Sequence, residues 1–368
     1  SIVLIASTII IQRQLQYIQH TNPGYDRSQI FTFRLPRSVI TQNAEDQFKV
    51  TADDIKQQLL AYPAITGVSF ASQSIVGLGS SNTGSAKWDG KDPDFNPQVF
   101  QLVADEAFKT TMQLEMALGR WFDPLQPTDR HNFILNQTAV NEFDIRQPVI
   151  GQRFLFQGDT GRIIGVVKDF HYASMHKQIG PLVIYNRPSG RPLIYVKTAP
   201  GKTTEALTAA HTIWSQFLPD KPFAYTFLDD TFDNLYKADT RTCNLILIFS
   251  VIAILISCLG LLGLAAFTAQ QRVREIGIRK VLGATVMNII TLLSRDFIKL
   301  VLVSVIIATP IAWWTMHSWL QDFAYHIPLS PWFLAGAGIL ALAIAVLTIA
   351  SQSIRAARAN PVKNLRSE

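Results

Sequence analysis

The chain has 368 residues, of which 48% are hydrophobic and only 16% are charged. This balance is more apolar than that of an ordinary soluble protein. The formal net charge of +6 would suit a nucleic-acid-binding protein, but the basic excess lies in two short segments, 270–283 and 351–368, which border apolar stretches. This placement argues against nucleic acid as a partner.

The first predicted element is a short apolar stretch, residues 1–11. Crossing about 30 Å of hydrocarbon takes roughly 20 helical residues, so this stretch is too short to span a membrane by itself. It also lacks the basic region and the small-residue cleavage site of a signal peptide. We therefore predict that residues 1–12 are the end of a truncated first transmembrane span.

Residues 13–230 have the composition of a folded domain, with interspersed charges and enough length to bury a core. Two stretches in this region repeat the order strand, helix, strand. The predicted elements of the two stretches are residues 30–35, 44–62 and 67–71, then 192–197, 204–218 and 222–227. We predict an α+β domain built of two β-α-β halves.

A β-rich insert is predicted between the two halves. Its short strands are expected at residues 98–103, 133–135, 152–156 and 162–167. Glycine and serine are frequent in residues 77–84, which predicts a mobile loop.

Three long apolar stretches follow, at residues 243–267, 297–316 and 332–350. Each is long enough to cross a membrane, and a lipid-embedded backbone must be helical to satisfy its hydrogen bonds. The fold class is therefore a membrane α-helical protein, with three complete spans, a truncated N-terminal span and the large α+β domain. We also expect one unbroken helix from about Thr231 through the first complete span, with Asp229 or Asp230 as its cap.

The orientation of the spans follows from the positions of the basic residues. The loop 270–283 and the tail 351–368 each carry four basic residues against one acidic residue. The positive-inside rule places both segments in the cytoplasm and therefore places residues 13–230 outside it.

The sequence offers no convincing catalytic, nucleotide or metal site. Residues 201–203 resemble the end of a phosphate-binding loop, but position 196 is valine where that motif needs glycine. Lys168, Asp169, His171 and His176 lack a further ligand at metal-binding spacing, and the three aspartates in 229–233 lack the glycine and glutamate of a calcium loop. We predict a protein that is not an enzyme and that binds no metal or cofactor directly.

The loop is the most informative segment. The string Arg-Val-Arg-Glu-Ile-Gly-Ile-Arg-Lys-Val-Leu-Gly-Ala at 272–284 resembles the signature loop of the FtsX/MacB class of ABC-transporter permeases. The tail at 356–366 is similar to the usual ending of that class, and residues 13–230, which include Ile-Gly-Val-Val-Lys-Asp-Phe-His at 164–171, resemble the MacB-like periplasmic core domain. The resemblance implies that residues 231–368 form the FtsX-like permease domain, and that the chain is the C-terminal unit of a longer permease or a permease without its start.

In this class the permease hydrolyses nothing, because a separate cytoplasmic ABC ATPase subunit supplies the ATP chemistry. The resemblance implies that the loop docks on that ATPase through Arg272, Glu275, Ile276, Gly277, Arg279, Lys280, Leu282 and Gly283. It also implies a second permease unit or a homodimer, a periplasmic adaptor or outer-membrane partner, and membrane lipid around the spans.

The expected function is that of a mechanotransmitting permease in the bacterial cytoplasmic (inner) membrane. It would couple the ATPase to movement of the outer domain, for export or extraction of peptides, drugs or lipoproteins. The alternatives are an FtsX-like regulator of cell-wall hydrolases and a membrane-anchored, ligand-binding sensor or adaptor without transport.

Overall fold

The computed structural model describes residues 1–36, 45–187, 191–272, 275, 278–279, 282 and 285–358. It divides into two compact units. One comprises Ser1–His20 with Ala238–Glu368, called the membrane unit here, and the other is Thr21–Lys237, called the outer unit.

The helices of the described residues are α1 Ile2–His20, α2 Glu45–Leu60, α3 Phe108–Met112, α4 Gln137–Glu142, α5 Thr203–Phe217, α6 Leu228–Leu235, α7 Lys237–Gln271, α8 Val286–Gln321 and α9 Pro331–Arg358. The strands are β1 Ile30–Arg34, β2 Ile65–Ala71, β3 Ser81–Thr83, β4 Ala86–Trp88, β5 Gln98–Val103, β6 Met116–Gly119, β7 Phe133–Asn136, β8 Arg153–Phe156, β9 Asp159–Val167, β10 Leu182–Tyr185, β11 Leu193–Thr198 and β12 Tyr225–Phe227.

Long apolar helices make up the membrane unit. In the part of the chain that the structure describes, three helical segments are long and apolar enough to cross a membrane: Lys237–Gln271, Ser294–Gln321 and Pro331–Ser351. Each contains one of the predicted spans, which confirms the prediction of three membrane-crossing helices. α8 continues through Pro310.

The N-terminal helix packs inside the membrane unit. α1 runs to His20, eight residues beyond the end predicted from the apolar stretch. Its Ile5 and Ala6 pack with Ala312 of α8 and Leu334 of α9. Its fully buried Gln14 donates from Nε2 to the Tyr325 carbonyl at 3.0 Å, and its Oε1 accepts from the Ile327 N–H at 2.9 Å. Gln14 therefore holds the α8–α9 loop to α1.

A small antiparallel sheet forms the first part of the outer unit. Among the described residues its strand order is β12-β1-β11-β2, with Phe31 opposite Val196 and Val196 opposite Val68. In each strand-helix-strand stretch, a strand from the other stretch lies between the two strands. This is the split β-α-β topology of ferredoxin-like domains.

The core of this sheet lies between it and α2 and α5. Ala210 and Trp214 of α5 are buried there. The Trp214 ring packs edge-on against Phe33, with the ring centroids 5.8 Å apart. Aromatic rings in this geometry add attraction beyond simple area burial, so the pair helps to fix α5 on the sheet.

The insert forms a second sheet of eight strands within the described residues. The path is β3-β5-β10-β7-β9-β8-β4, and β6 also pairs with β9. β5, β7, β8 and β9 overlap the four predicted strands, but the sequence analysis missed β10, whose side chains are all buried. Gly161 in β9 is required by a close backbone approach, because a Cβ there would overlap the carbonyl oxygen of His131.

The segment predicted to be a mobile loop is held in place instead. Leu78 is buried, and its N–H donates to the Tyr172 carbonyl at 2.9 Å. Residues 81–83 form β3 and pair with β5. The composition predicted mobility because glycine and serine favour turns, but the apolar side chain among them is anchored in the core.

The unbroken helix expected from about Thr231 is wrong. α6 ends at Leu235, Tyr236 has non-helical backbone angles (φ −110°, ψ 12°), and α7 begins at Lys237. Tyr236 is buried, and its hydroxyl accepts a hydrogen bond of 2.9 Å from the Met175 N–H. This anchor in the outer unit accounts for the break.

The predicted aspartate cap of this helix is also wrong. The N-cap is Phe227, without a side-chain cap, and Asp229 and Asp230 lie in the first turn of α6. Asp229 pairs with Arg27, whose Nε lies 3.2 Å from its Oδ1, and the Arg27 guanidinium lies 3.8 Å from the ring centre of Phe232. α6 is thus held to the outer unit by both contacts.

Candidate functional site

The predicted coupling loop lies between α7 and α8. Among its described residues, Arg272 lies in a turn, Glu275 and Arg279 are helical, and Leu282 is again in a turn. Thr285 then caps α8, since its hydroxyl accepts from the Asn288 N–H at 3.3 Å. Between the two long helices, the described residues Glu275, Ile278 and Arg279 are thus helical.

Half of the predicted coupling positions can be placed. Arg272, Glu275, Arg279 and Leu282 are described, whereas Ile276, Gly277, Lys280 and Gly283 lie outside the described residues. The joint role of all eight stays a prediction.

Two ion pairs organise the described part of the loop. Arg279 Nη2 lies 2.8 Å from Glu275 Oε1, one helical turn away, and Arg272 Nη2 lies 3.4 Å from Asp296 Oδ2 on α8. Exposed pairs of this kind contribute only about 0–1 kcal/mol each. Their effect is orientation: Arg279 is directed along the segment, and Arg272 links the end of α7 to α8.

Two large apolar side chains of the loop are exposed. Ile278 is 57% exposed and Leu282 is 79% exposed. Fully burying an aliphatic side chain of this size is worth about 1.5–3 kcal/mol, so both are favourable contact points for another apolar surface. The loop thus presents two exposed apolar side chains beside charged groups that are oriented by ion pairs. The analysis of its sequence did not single out Ile278.

A second candidate site is a cleft of about 630 Å³ in the outer unit. It lies among α2, the end of β2 and loops of the insert. Lys56 Nζ lies 2.9 Å from the buried Asp105 Oδ2, Asn186 Nδ2 donates to Glu106 Oε1 at 2.7 Å, and Arg191 Nη1 lies 3.9 Å from Glu106 Oε2. The sequence analysis missed this site because its residues are scattered along the chain with no spacing pattern.

Burial and charge act in opposite directions on the acidic groups of the cleft. Burial raises the pKa of Asp105, and the nearby Lys56 and Arg191 offset this only in part. Burial alone would also raise the pKa of Glu106, but its hydrogen bonds and Arg191 outweigh that effect, so the pKa is lowered. The pKa values of these two neighbouring carboxyl groups are thus shifted in opposite directions, upward for Asp105 and downward for Glu106.

The residues considered for an acid-base or metal cluster have separate structural partners. Asp169 accepts from Asn136 Nδ2 at 2.8 Å and from Thr138 Oγ1 at 2.9 Å, which fixes the start of α4. Lys168 pairs with Glu115, and the His171 N–H donates to the Pro23 carbonyl. Within the described ranges, no group of three or more His, Cys, Asp or Glu side chains could hold a metal ion.

Comparisons with solved structures give similarities at low identity. The periplasmic region of MacB from Actinobacillus actinomycetemcomitans is 17% identical with a TM-score of 0.40, over 60% of this chain and 99% of that chain. The extracellular domain of the noncanonic ABC-type transporter YknZ from Gram-positive bacteria is 11% identical with a TM-score of 0.38, over 54% of this chain and 97% of that chain. No curated protein gave a significant match.

Two protein-family models match the chain. The MacB-like periplasmic core domain matches residues 2–212, and the FtsX-like permease C-terminal model matches residues 247–361. The second match includes α8 and α9 whole and most of α7, so the chain is a multi-pass membrane protein with a periplasmic-type domain. Because the first model alone spans more than half of the chain, the chain belongs to the MacB/FtsX-like family of ABC-transporter permeases.

Proposed function

We propose that this chain is a mechanotransmitting permease subunit: a cytoplasmic ABC ATPase docks on the loop after α7, and its movements are passed to the outer unit. Permeases of this family work with such an ATPase and are typically non-catalytic themselves. The observation that carries the proposal is the exposed apolar pair Ile278 and Leu282, presented between charged groups on the loop that joins two membrane helices.

The proposed force path runs along α7. A displacement of the loop moves the end of α7 at Gln271, and α7 carries it along its length to Lys237. The break at Tyr236 lets α7 tilt while α6 stays attached to the outer unit through Asp229 and Phe232. A hinge at an element end, between two rigid segments, is a common way to pass on such a movement.

The positions of the basic residues give the orientation of the chain in the membrane. The loop and the tail face the cytoplasm, the outer unit lies outside it, and the membrane is the bacterial inner membrane. ATP is used only by the partner ATPase, and this chain binds no cofactor. We interpret α1 as the end of a first span and the two strand-helix-strand stretches as two halves of one domain.

The remaining partners belong to the same proposal. The chain pairs with a second permease unit or a second copy of itself, and an outer partner receives the movement. The cargo is a peptide, a drug or a lipoprotein, handled outside the cytoplasm.

Co-purification from native membranes in mild detergent tests the docking role. Leu282→Asp removes the apolar contact and Glu275→Lys reverses a loop charge, whereas Asp220→Lys reverses an exposed charge in the outer unit and is the matched control. We expect each loop variant to recover at least about tenfold less ATPase than the wild type, because one lost interface anchor commonly costs more than about 1.4 kcal/mol.

The outcomes are distinct. Asp220→Lys should recover as much ATPase as the wild type. Equal recovery with both loop variants, at equal amounts of folded permease, would show that the loop is not the docking surface.

A further inference from the structure

Three residues that line the outer-unit cleft carry four buried polar atoms without a hydrogen-bond partner among the described residues, one of which, Arg191 Nη1, lies at ion-pair distance from Glu106. Two are acceptors, Asp105 Oδ1 and Asn186 Oδ1, and two are donors, Arg191 Nε and Nη1. All four are buried, and within the described part of the chain none has a hydrogen-bond partner. Native proteins rarely leave such groups unsatisfied, so several in one cleft indicate a missing partner.

The chemistry of these atoms restricts that partner. The two acceptors require a group with at least two N–H or O–H donors, and the two guanidinium donors require an oxygen acceptor beside it. A primary ammonium next to a carbonyl meets both requirements. A simple amine would leave the guanidinium unsatisfied, and a simple anion would leave the two acceptors unsatisfied.

The charge around the cleft favours a cationic group. Its acidic lining residues outnumber the basic ones: Asp53, Asp105, Glu106, Asp123 and Asp129 against Lys56, Arg130 and Arg191. The volume of about 630 Å³ lies inside the range of roughly 300–1,000 Å³ that is typical of small-molecule sites. There is room for several residues of an extended chain.

We propose that this cleft binds the free amino terminus of a short peptide. The terminal ammonium donates to Asp105 Oδ1 and Asn186 Oδ1, and the first carbonyl oxygen accepts from the Arg191 guanidinium. Lys56 contacts Asp105, and Glu106 contacts Arg191. Lys56 and Glu106 are the more exposed side chains of these two pairs, and both swing aside to admit the ligand. These contacts address main-chain groups only, so the site recognises the terminus and not the side chains.

The inference goes beyond the permease function and does not depend on it. Binding needs neither ATP nor the docking loop, so it can be measured on the purified full-length chain alone. A failed docking experiment and a failed binding experiment would therefore have separate meanings.

The test is a calorimetric titration of the full chain in detergent with trialanine and with N-acetyl-trialanine. We expect saturable binding of trialanine and at least about tenfold weaker binding of the acetylated peptide, since acetylation removes the charge and all but one of the terminal N–H donors. This comparison requires no change to the protein.

Variants locate the binding to the cleft. Asp105→Asn should weaken trialanine binding about tenfold. Ala107→Trp, which fills the cleft without changing a charge, should abolish binding, whereas Asp94→Asn, on the exposed surface, should bind as the wild type does. Melting curves identify any variant that fails to fold.

Three results would overturn the proposal. They are equal affinity for the two peptides, wild-type affinity in Ala107→Trp, and no binding of trialanine by the wild type at millimolar concentration.

Discussion

The hydroxyl group of Tyr195 fixes a loop of the outer unit that packs against α6, and removing this hydroxyl tests that role. Tyr195 is fully buried on β11, and its hydroxyl accepts from the Ile75 N–H at 2.7 Å and donates to the Gln73 carbonyl at 3.0 Å. The same loop continues to Gly77, where a Cβ would lie 3.2 Å from Leu235 on α6. Tyr195 thus fixes the loop against which the end of α6 packs.

Replacing Tyr195 with phenylalanine keeps the ring and removes only the hydroxyl. The Ile75 N–H and the Gln73 carbonyl then lose their partner, and a buried polar group left unsatisfied costs about 1–3 kcal/mol. Local opening of the loop should become easier by the same free energy. The expected change is a roughly 5- to 150-fold faster hydrogen exchange of the Ile75 amide.

The assay is hydrogen exchange on the full-length protein, with the melting temperature as a second readout. Tyr185→Phe is the matched control, because among the described residues the hydroxyl of Tyr185 has only long contacts, 3.4 Å to Gln101 Oε1 and 3.5 Å to Gln157 Oε1. It should leave the exchange of Ile75 unchanged. Wild-type exchange of Ile75 in Tyr195→Phe, or an equal effect of both substitutions, would refute the reasoning.

Three further predictions concern the insert. Asn136→Ala should lower the free energy of unfolding by about 2–4 kcal/mol, because this buried side chain makes four hydrogen bonds, whereas Asn141→Ala, on the exposed side of α4, should change it by less than about 0.5 kcal/mol in denaturant titrations. Burial alone would raise the pKa of Asp129, but hydrogen bonds, chiefly from Arg120, lower it below 3.8. Its stabilising effect is therefore complete above about pH 4 and is lost at lower pH, so melting temperatures of the wild type and Asp129→Asn should converge on acidification. Gly161→Ala should prevent correct pairing of β9, seen as loss of soluble folded protein, because the added methyl group would overlap a backbone carbonyl.

Most strands and helices of the outer unit could be predicted from local pattern. The apolar face of α5 depends on residues close in sequence, so a short window reveals it. β10 was missed because Leu-Val-Ile-Tyr at 182–185 is a short continuous apolar run, buried on all sides, which has no period to detect. Its position between β5 and β7 depends on pairing with strands far away in the chain.

The two candidate sites also differ in how far apart their residues lie in the sequence. Arg272, Glu275, Arg279 and Leu282 lie within one short segment, so the resemblance of that segment to a family signature was enough to propose them as a group. The cleft brings Lys56 to Asp105 and Glu106 to Arg191 across long separations in the chain. No local pattern marks such a set, because its members are neighbours only after both sheets have formed.

By itself, the sequence determined that the described chain has three helices long and apolar enough to cross a membrane, with a large folded domain between apolar segments, because hydrocarbon thickness and backbone hydrogen bonding leave few alternatives. The tertiary structure decided where the helix before the first complete span breaks, since that depends on the buried Tyr236 hydroxyl and the distant Met175 N–H. It also decided the interleaved strand order of the small sheet and the polar cleft. These features depend on contacts between residues far apart in sequence, where packing outweighs local preference.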